Sequence, residues 1–459
     1  MNQAYAILAD RISSDSTLLD QLATFFAFEH LTLIYGAIGA VLLGTSCGLL
    51  GCFVVLRKMS LLGDSIGHAV LPGICVAFLI TQTKSTPTIF LGAVVAGILA
   101  TLFISGVTRF SRIKPDTAIG LALSGFFGLG IVLLTRIQRM SFGDQSGLDK
   151  YMFGDAAAIG IDDLRLMAAV TVAAILTMIL FYRQFLVTAF DETFAATIGI
   201  PIRFVQLVLM TLLALAIVTA LQAVGVVLVS AMLITPAATA YLLTDRLPWM
   251  LVLAAVIGSL SGFCGLFISF MLNGIPTGPC MVLTAAALFT LAFLFSPTHG
   301  VLIRALGRVR RRRRVQRENL LKTVFALLDN GDSSKALSLS TIAEERGESI
   351  AYIGRIAKSL ASVGLGTLNP EGLVLTPAGS ERAAQVVRNH RLWELYLTQE
   401  ASVAPDHVHR DAEEIEHVLG EELVRKLQEM LDHPDHDPHG RRIPQGGAEH
   451  PAQEAGFDA

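Results

Sequence analysis

The sequence predicts an all-α polytopic membrane bundle of about nine spans, followed by a soluble body that contains an α+β winged helix-turn-helix. Three observations carry this reading. The 459-residue chain is 53% hydrophobic, only 16% charged, and has a mean hydropathy of +0.59, where an average soluble domain is roughly 25% charged. The averages also hide two unlike halves. From Leu31 to Leu294 the chain is a series of apolar stretches, and from Arg304 onward none recurs and charges are dense. Third, the residues after 316 order themselves as helix, turn, helix and hairpin.

The elements follow in chain order. Residues 1–29 form an N-terminal segment. It is not a signal peptide, because Asp10, Arg11, Asp15 and Asp20 stand where an apolar core is needed. Residues 4–28 read as an amphipathic helix lying at the membrane surface. A spanning helix needs about 20 mostly apolar residues. The candidates within 30–300 are 31–56, 62–82, 88–109, 117–136, 163–182, 202–222, 224–243, 249–272 and 278–297. Asp64 and His68 weaken the second. Gln222 and Gly225 alone suggest a turn between the sixth and seventh. Cys47, Cys52, Cys75, Cys264 and Cys280 lie in or beside these spans without a CxxC pair and read as packing residues.

Cytosolic loops collect Lys and Arg. Arg57 and Lys58 follow the first span, Arg109, Arg112 and Lys114 the third, Arg183 the fifth, Arg246 the seventh, and an arginine run from Arg308 to Arg314 the ninth. All are odd-numbered ends. The N-terminus is therefore expected outside and the C-terminus in the cytosol. The loop 137–162, with Arg139 and Lys150, disagrees with the majority.

An ionisable side chain at mid-membrane costs about 2.5–3.5 kcal/mol on insertion scales. The i, i+4 spacing of Asp64 and His68 puts a carboxylate and an imidazole on one helix face. Such a pair either holds Mn²⁺, Fe²⁺ or Zn²⁺ in passage or locks two helices together; spacing leaves both readings open. Between the fifth and sixth spans, Phe190 to Pro201 reads as a short capped helix on the cytosolic side. It is either the element that receives a motor's movement or an ordinary loop helix. Pro72, Gly73, Gly225, Pro236, Pro276 and Pro279 interrupt the spans, as is tolerated where helices line a cavity.

Several segments together resemble the manganese/zinc/iron permease family of ABC importers. They are Gly63-Asp-Ser-Ile-Gly-His-Ala-Val-Leu-Pro-Gly73, Asp116-Thr-Ala-Ile-Gly120, Ser124-Gly-Phe-Phe-Gly-Leu-Gly130, Gly147-Leu-Asp-Lys-Tyr-Met-Phe-Gly154, Phe190 to Pro201, Val224 to Leu233, Thr235-Pro-Ala-Ala-Thr239 and Pro276-Thr-Gly-Pro279. The resemblance runs in order over residues 30–300. It implies the fold of a type II ABC importer permease, paired with a second copy or a sister permease. It further implies two cytosolic ATPase subunits and an extracytoplasmic metal-binding protein, at a bacterial inner membrane. Asp64 and His68 would belong to the transport path. Asp191, Glu192, Gly199 and Pro201 would belong to the coupling helix that docks on the ATPase. The chain has no Gly-x-x-x-x-Gly-Lys-Ser/Thr loop, so it is not expected to be an enzyme, and ATP hydrolysis would fall to a separate subunit.

Residues 301–315 read as a basic linker, a cytosolic stop signal that also meets anionic lipid. Residues 316–381 read as the winged helix-turn-helix, with Ser340–Arg346 and Ser349–Val363 as its helices and Pro370–Gly372 as the tip of the wing. Ser349, Tyr352, Arg355 and Lys358 are the candidates for reaching DNA; a winged helix used for protein contacts is the other reading. In 382–444, His390 and Glu394 are i, i+4, while Glu413, Glu416 and His417 share a helix face with His409 just before them. Oxygen and nitrogen donors of this kind suit Mn²⁺ or Fe²⁺. Residues 445–459 read as a disordered tail.

The segments Arg388-Asn-His-Arg-Leu-Trp-Glu394, His409 to Leu419 and Asp437-Pro-His-Gly-Arg-Arg-Ile-Pro444 resemble the metal-dependent repressors of the diphtheria-toxin-repressor type. That resemblance implies a helical metal-binding and dimerisation domain. His390, Glu394 and His409 would form one metal site, and Glu413, Glu416 and His417 would complete a second. Glu413 stands where manganese-type members carry an acid. Asn319 and Lys322 depart from the pattern, because the repressors' first helix supplies a ligand there. His433, His436 and His439 match the exit loop, with a separate histidine metal trap as the minor reading. No ion is expected as a permanent cofactor. Mn²⁺ or Fe²⁺, with Zn²⁺ as a further option, would be both cargo and sensor ligand. The tail would regulate transcription or inhibit transport directly. The remaining alternative is a membrane-tethered, metal-dependent regulator whose permease half no longer transports.

Overall fold

In the computed structural model, residues 18–27, 31–82, 86–139, 159–272, 275–328, 335–400 and 420–444 are described. The chain divides into two compact units, Met1–Arg304 and Ala305–Ala459, and each is considered by itself.

The first unit is helical: α1 (Leu18–Ala27), α2 (Leu31–Leu56), α3 (Leu61–Thr81), α4 (Thr86–Phe110), α5 (Pro115–Gln138), α6 (Ile161–Leu180), α7 (Tyr182–Phe190), α8 (Glu192–Thr197), α9 (Ile202–Val224), α10 (Val226–Leu243), α11 (Leu247–Met271) and α12 (Thr277–Phe295). Among the described residues, eight helices are long and apolar enough to cross a membrane, and α10 adds a shorter apolar one. Together they match the nine stretches read from the sequence. The joint between α9 and α10 is the single residue Gly225, at φ +85°, a backbone conformation open to glycine at little cost. The fifth stretch stops at Leu180, two residues early, and the more polar residues Tyr182–Phe190 form α7.

These helices are apolar nearly all round, so greasy surface alone cannot choose their neighbours; close backbone approach does. α2 packs against α6, α9, α10 and α11, and buries Gly36, Gly39, Gly44, Gly48 and Gly51. At Gly44 a Cβ would overlap the carbonyl of Gly258 on α11, and the reverse also holds. The Thr45 and Ser259 hydroxyls bond alongside at 2.8 Å. The Ser65 hydroxyl of α3 donates to the Ile119 carbonyl of α5 at 3.1 Å. α1, within the stretch read as an amphipathic surface helix, packs onto α11. Phe25 is fully buried and meets Phe263, Phe267 and Phe270 of α11 at 5.9, 4.9 and 5.3 Å. Residues 1–17 lie outside the described set.

Helix α13 (Val301–Leu327) carries the arginine run. The stretch read as a linker is thus helical: Arg is a strong helix former, and Arg314 pairs with Glu318 one turn on at 3.1 Å. Then come α14 (Leu339–Arg346), α15 (Ile350–Ser362), β1 (Gly366–Asn369), β2 (Gly372–Leu375), α16 (Pro377–Gln399) and α17 (Glu421–Met430). Ser338 caps α14 by accepting from the Thr341 N–H, and Gly347 ends it at φ +62°. β1 and β2 pair antiparallel from Gly366↔Leu375 to Asn369↔Gly372, and Leu337 bridges Leu373 on the other side. The winged helix-turn-helix order is present. Its core joins Leu320, Leu321 and Val324 to Ile342, Ile353, Leu360 and Leu373, all fully buried. Burial of each such side chain stabilises by roughly 1.5–3 kcal/mol. A smaller core joins Leu392 and Leu395 of α16 to Val424, Leu431 and Ile443.

Candidate functional sites

Asp64 stands in the first turn of α3, not at midspan, and His68 one turn later. His68 Nε2 lies 3.5 Å from Asp64 Oδ1, with the two side chains 19% and 35% exposed. Phe127 of α5 meets the His68 ring edge-on at 4.7 Å. His68 Nδ1 is buried without a hydrogen-bond partner among the described residues. Elsewhere on α5, Gly120, Gly125 and Gly128 have open space where a Cβ would point. The pair is walled on one side by an aromatic ring and carries one buried imidazole nitrogen with no hydrogen-bond partner among the described residues.

After α7, Asp191 caps α8, its Oδ1 accepting from the Phe194 N–H at 2.9 Å. Glu192 opens the helix, Gly199 turns the chain at φ +80° and Pro201 precedes α9. Phe190, Phe194 and Ile198, spaced four residues apart, are all largely exposed. Next to this segment is a cavity of about 510 Å³ whose lining includes Arg57, Lys58, Lys114, Asp116, Glu192 and Gln206. Nε and Nη2 of Arg57 are buried there without a hydrogen-bond partner. Burial pushes its guanidinium below the ordinary arginine pKa, and the Glu192 carboxylate opposes that shift.

In the second unit, Ser349 is the N-cap of α15. The Tyr352 hydroxyl accepts from Gln316 Nε2 at 2.8 Å, and the Arg355 guanidinium sits 5.6 Å from the Tyr352 ring centre. Arg355 and Lys358 are exposed one turn apart. Of the four residues proposed to reach DNA, Ser349, Arg355 and Lys358 face solvent, while Tyr352 also serves a contact inside the domain.

On α16, His390 Nε2 is 3.0 Å from Glu394 Oε1, both nearly fully buried. Lys322 of α13 places Nζ 3.1 Å from His390 Nδ1. One turn earlier on α13, buried Glu318 holds Arg314 at 3.1 Å and Arg382 of α16 at 2.5 Å. His409, Glu413, Glu416 and His417 lie outside the described residues, as does Gly147–Gly154. The exit loop turns on Asp437, whose Oδ1 accepts from the N–H groups of His439 and Arg441 at 2.9 and 2.8 Å. Arg391 joins it at 3.6 Å. This turn does not gather His433, His436 and His439: among the described residues no three His, Cys, Asp or Glu side chains come together as a metal group.

The sequence profile of the ABC 3 transport family matches residues 29–296, more than half of the 459-residue chain. The chain belongs to the ABC 3 transport family. Its relatives include the manganese transport system membrane protein MntC of Bacillus subtilis, 39% identical over 375 residues, 80% of this chain and 84% of the relative. The zinc transport system membrane protein TroC of Treponema pallidum is 38% identical over 288 residues, 63% of this chain and 95% of the relative. The solved structure of PsaBC from Streptococcus pneumoniae in complex with Fab superposes with a TM-score of 0.55 at 37% identity, covering 62% of this chain and 98% of that one. A second profile, iron dependent repressor, metal binding and dimerisation domain, matches residues 376–445. The chain is thus a multi-pass ABC 3 membrane permease joined to a repressor-type C-terminal domain.

The metal implied for that domain can be tested against the part of its ligand set that is described. An ammonium only donates, so His390 Nδ1 accepts from Lys322, and the ring proton sits on Nε2, donating to Glu394. A neutral imidazole ligates through its unprotonated nitrogen, and here Lys322 occupies it. His390 and Glu394 as arranged do not fit an ion. The sequence reading had missed two features of the ABC 3 unit. The exposed Phe190, Phe194 and Ile198 were legible as an i, i+4, i+8 apolar series. The buried guanidinium of Arg57 was not, since Arg57 reads simply as a topological marker.

Proposed function

We propose that this chain is the membrane-spanning permease of an ATP-driven importer for divalent transition-metal ions, with manganese as its principal cargo and iron or zinc as the other cargoes. The observation that carries this reading is the Asp64–His68 pair, a carboxylate and an imidazole whose buried Nδ1 has no hydrogen-bond partner among the described residues. A pair serving only to lock helices would be expected to use that nitrogen. Relatives named as manganese and zinc transport proteins support the same cargo. The open face of α5 suits a second permease, a copy or a sister chain, which would complete the path.

The Asp191–Pro201 segment, with its exposed phenylalanines beside the Arg57 cavity, is read as the surface that docks a separate ATPase. An extracytoplasmic binding protein delivers the ion from the other side. The positive loops put the N-terminus outside and the C-terminus in the cytosol of a bacterial inner membrane. The repressor-type tail then samples cytosolic metal through His409, Glu413, Glu416 and His417. It acts on DNA through Arg355 and Lys358, or on transport directly.

Proteoliposomes holding the chain with its ATPase and binding protein test the assignment. ATP-dependent Mn²⁺ accumulation is expected. Its absence, in vesicles where ATP is hydrolysed, would favour the tethered-regulator alternative. Gel shift of the full chain in detergent with and without Mn²⁺ separates the transcriptional role of the tail from the direct one.

A further inference from the structure

We infer that Lys322 is a built-in cation that takes the place of a metal ion at His390 and Glu394. This half of the tail's ligand set is thereby closed by the chain itself.

The charges support it. Glu394 is a carboxylate at 3% side-chain exposure, and its neighbour His390 is 6% exposed. A buried carboxylate needs a compensating positive charge and hydrogen bonds. Here the compensation arrives in series, from the Lys322 ammonium to His390 Nδ1 at 3.1 Å and from His390 Nε2–H to Glu394 at 3.0 Å. The ammonium fixes the tautomer, because it can only donate. The imidazole passes its polarisation to the carboxylate, as it would between a bound cation and an acid.

Position reinforces the argument. Glu318 and Lys322 are one turn apart on α13, and their partners Arg382 and His390 lie two turns apart on α16. Opposite charges thus meet in two layers, with the acid on α13 in one and on α16 in the other. An ion bridging α13 and α16 at His390 would have to displace an ammonium tethered on α13, and would be repelled by it meanwhile. Lys322 instead joins α13 to α16 whether or not metal is present. The closure by Lys322 stands apart from the metal-sensing reading, which is left to His409, Glu413, Glu416 and His417.

Hydrogen–deuterium exchange of the full chain in detergent tests this, following peptides that cover 318–328 and 386–396. In EDTA the unmodified chain is expected to protect both, and Mn²⁺ to change their exchange less than about twofold. Lys322→Met removes the charge but keeps the length; both peptides should then exchange about tenfold faster in EDTA, while Lys322→Arg stays protected. Lys322→Glu should be fast in EDTA and slow again with Mn²⁺, one cation replacing another. Protection in the unmodified chain that appears only with Mn²⁺, or Lys322→Met behaving as the unmodified chain in EDTA, overturns the inference. If Lys322→Met also exposes 350–362, Lys322→Glu decides: recovery with Mn²⁺ supports the inference, and no recovery overturns it. A peptide over 409–417 reports separately on the metal-sensing reading. If Mn²⁺ leaves it unchanged, that reading fails and the role of Lys322 is untouched.

Discussion

Replacing Asp64 by Asn separates the two uses of the Asp64–His68 pair. The amide keeps an acceptor oxygen facing His68 Nε2, now 3.5 Å from the carboxylate, and it keeps the side-chain shape. It removes only the charge. Unit charges 4 Å apart attract by about 4 kcal/mol at an effective dielectric constant near 20, and a divalent ion doubles this to about 8 kcal/mol. Most of that gross figure is returned, because the ion sheds hydration and because Asp64 is 35% exposed and partly screened. A net loss of about 1.5–3 kcal/mol, typical of a bond to a charged group, remains. That is roughly a 10–100-fold drop in occupancy of the site. Uptake of radioactive Mn²⁺ into proteoliposomes at subsaturating metal should fall in that range, with the thermal midpoint of the detergent-solubilised chain unmoved. Uptake within twofold of the unmodified chain would refute the path assignment. Reduced uptake accompanied by a midpoint several degrees lower would instead identify the pair as a structural lock.

Three further sets of substitutions probe the packing, the coupling segment and the winged helix. Gly44→Val drives a branched side chain into the Gly258 carbonyl and should cost about 1–3 kcal/mol or more. Thermal unfolding in detergent should show this, while Gly125→Ala, with open space at its Cβ, leaves the midpoint unchanged. Asp191→Ala removes the cap of α8, about 1 kcal/mol of local helix stability. In the reconstituted complex it should lower transport per ATP hydrolysed without lowering the yield of folded chain. Arg355→Glu with Lys358→Glu should abolish a Mn²⁺-dependent gel shift. Each singly replaced by Ala should flatten the salt dependence by about one unit of slope; an unchanged slope would assign α15 to protein contacts.

Much of the membrane unit was legible because its signals are local. Span lengths follow from bilayer thickness, and Asp191, four residues before Ala195, reads as a cap wherever it stands. The turn was legible from Gln222 and Gly225, and few residues besides glycine tolerate the φ of +85° found at Gly225. The depth of Asp64 was not. Span limits are fuzzy by several residues, and contacts far apart in sequence, such as Ser65 bonding to Ile119 and His68 meeting Phe127, fix how α3 sits against α5. The packing of the helix near the N-terminus was hidden for a related reason. The apolar residues of Leu18–Ala27 are plain in the sequence, but Phe267 and Phe270, which cover Phe25, are more than 240 residues away. In the tail the helices and the wing followed from turn residues and periodicity, whereas the partner of Lys322 is 68 residues distant.

Two acid–histidine pairs spaced i, i+4 among the described residues show why spacing alone cannot assign a metal site. Asp64–His68 and His390–Glu394 share the i, i+4 geometry, and their closest contacts, 3.5 and 3.0 Å, are similar. Their third neighbours differ. Beside His68 stand an aromatic ring and a half-exposed carboxylate, and its Nδ1 has no hydrogen-bond partner among the described residues; on His390 Nδ1 sits an ammonium. The first arrangement has a lone pair to offer a moving ion. The second has spent its lone pair and sealed its charge. A path that binds and releases metal needs the first kind of pair, and a joint that must hold between two helices is served by the second.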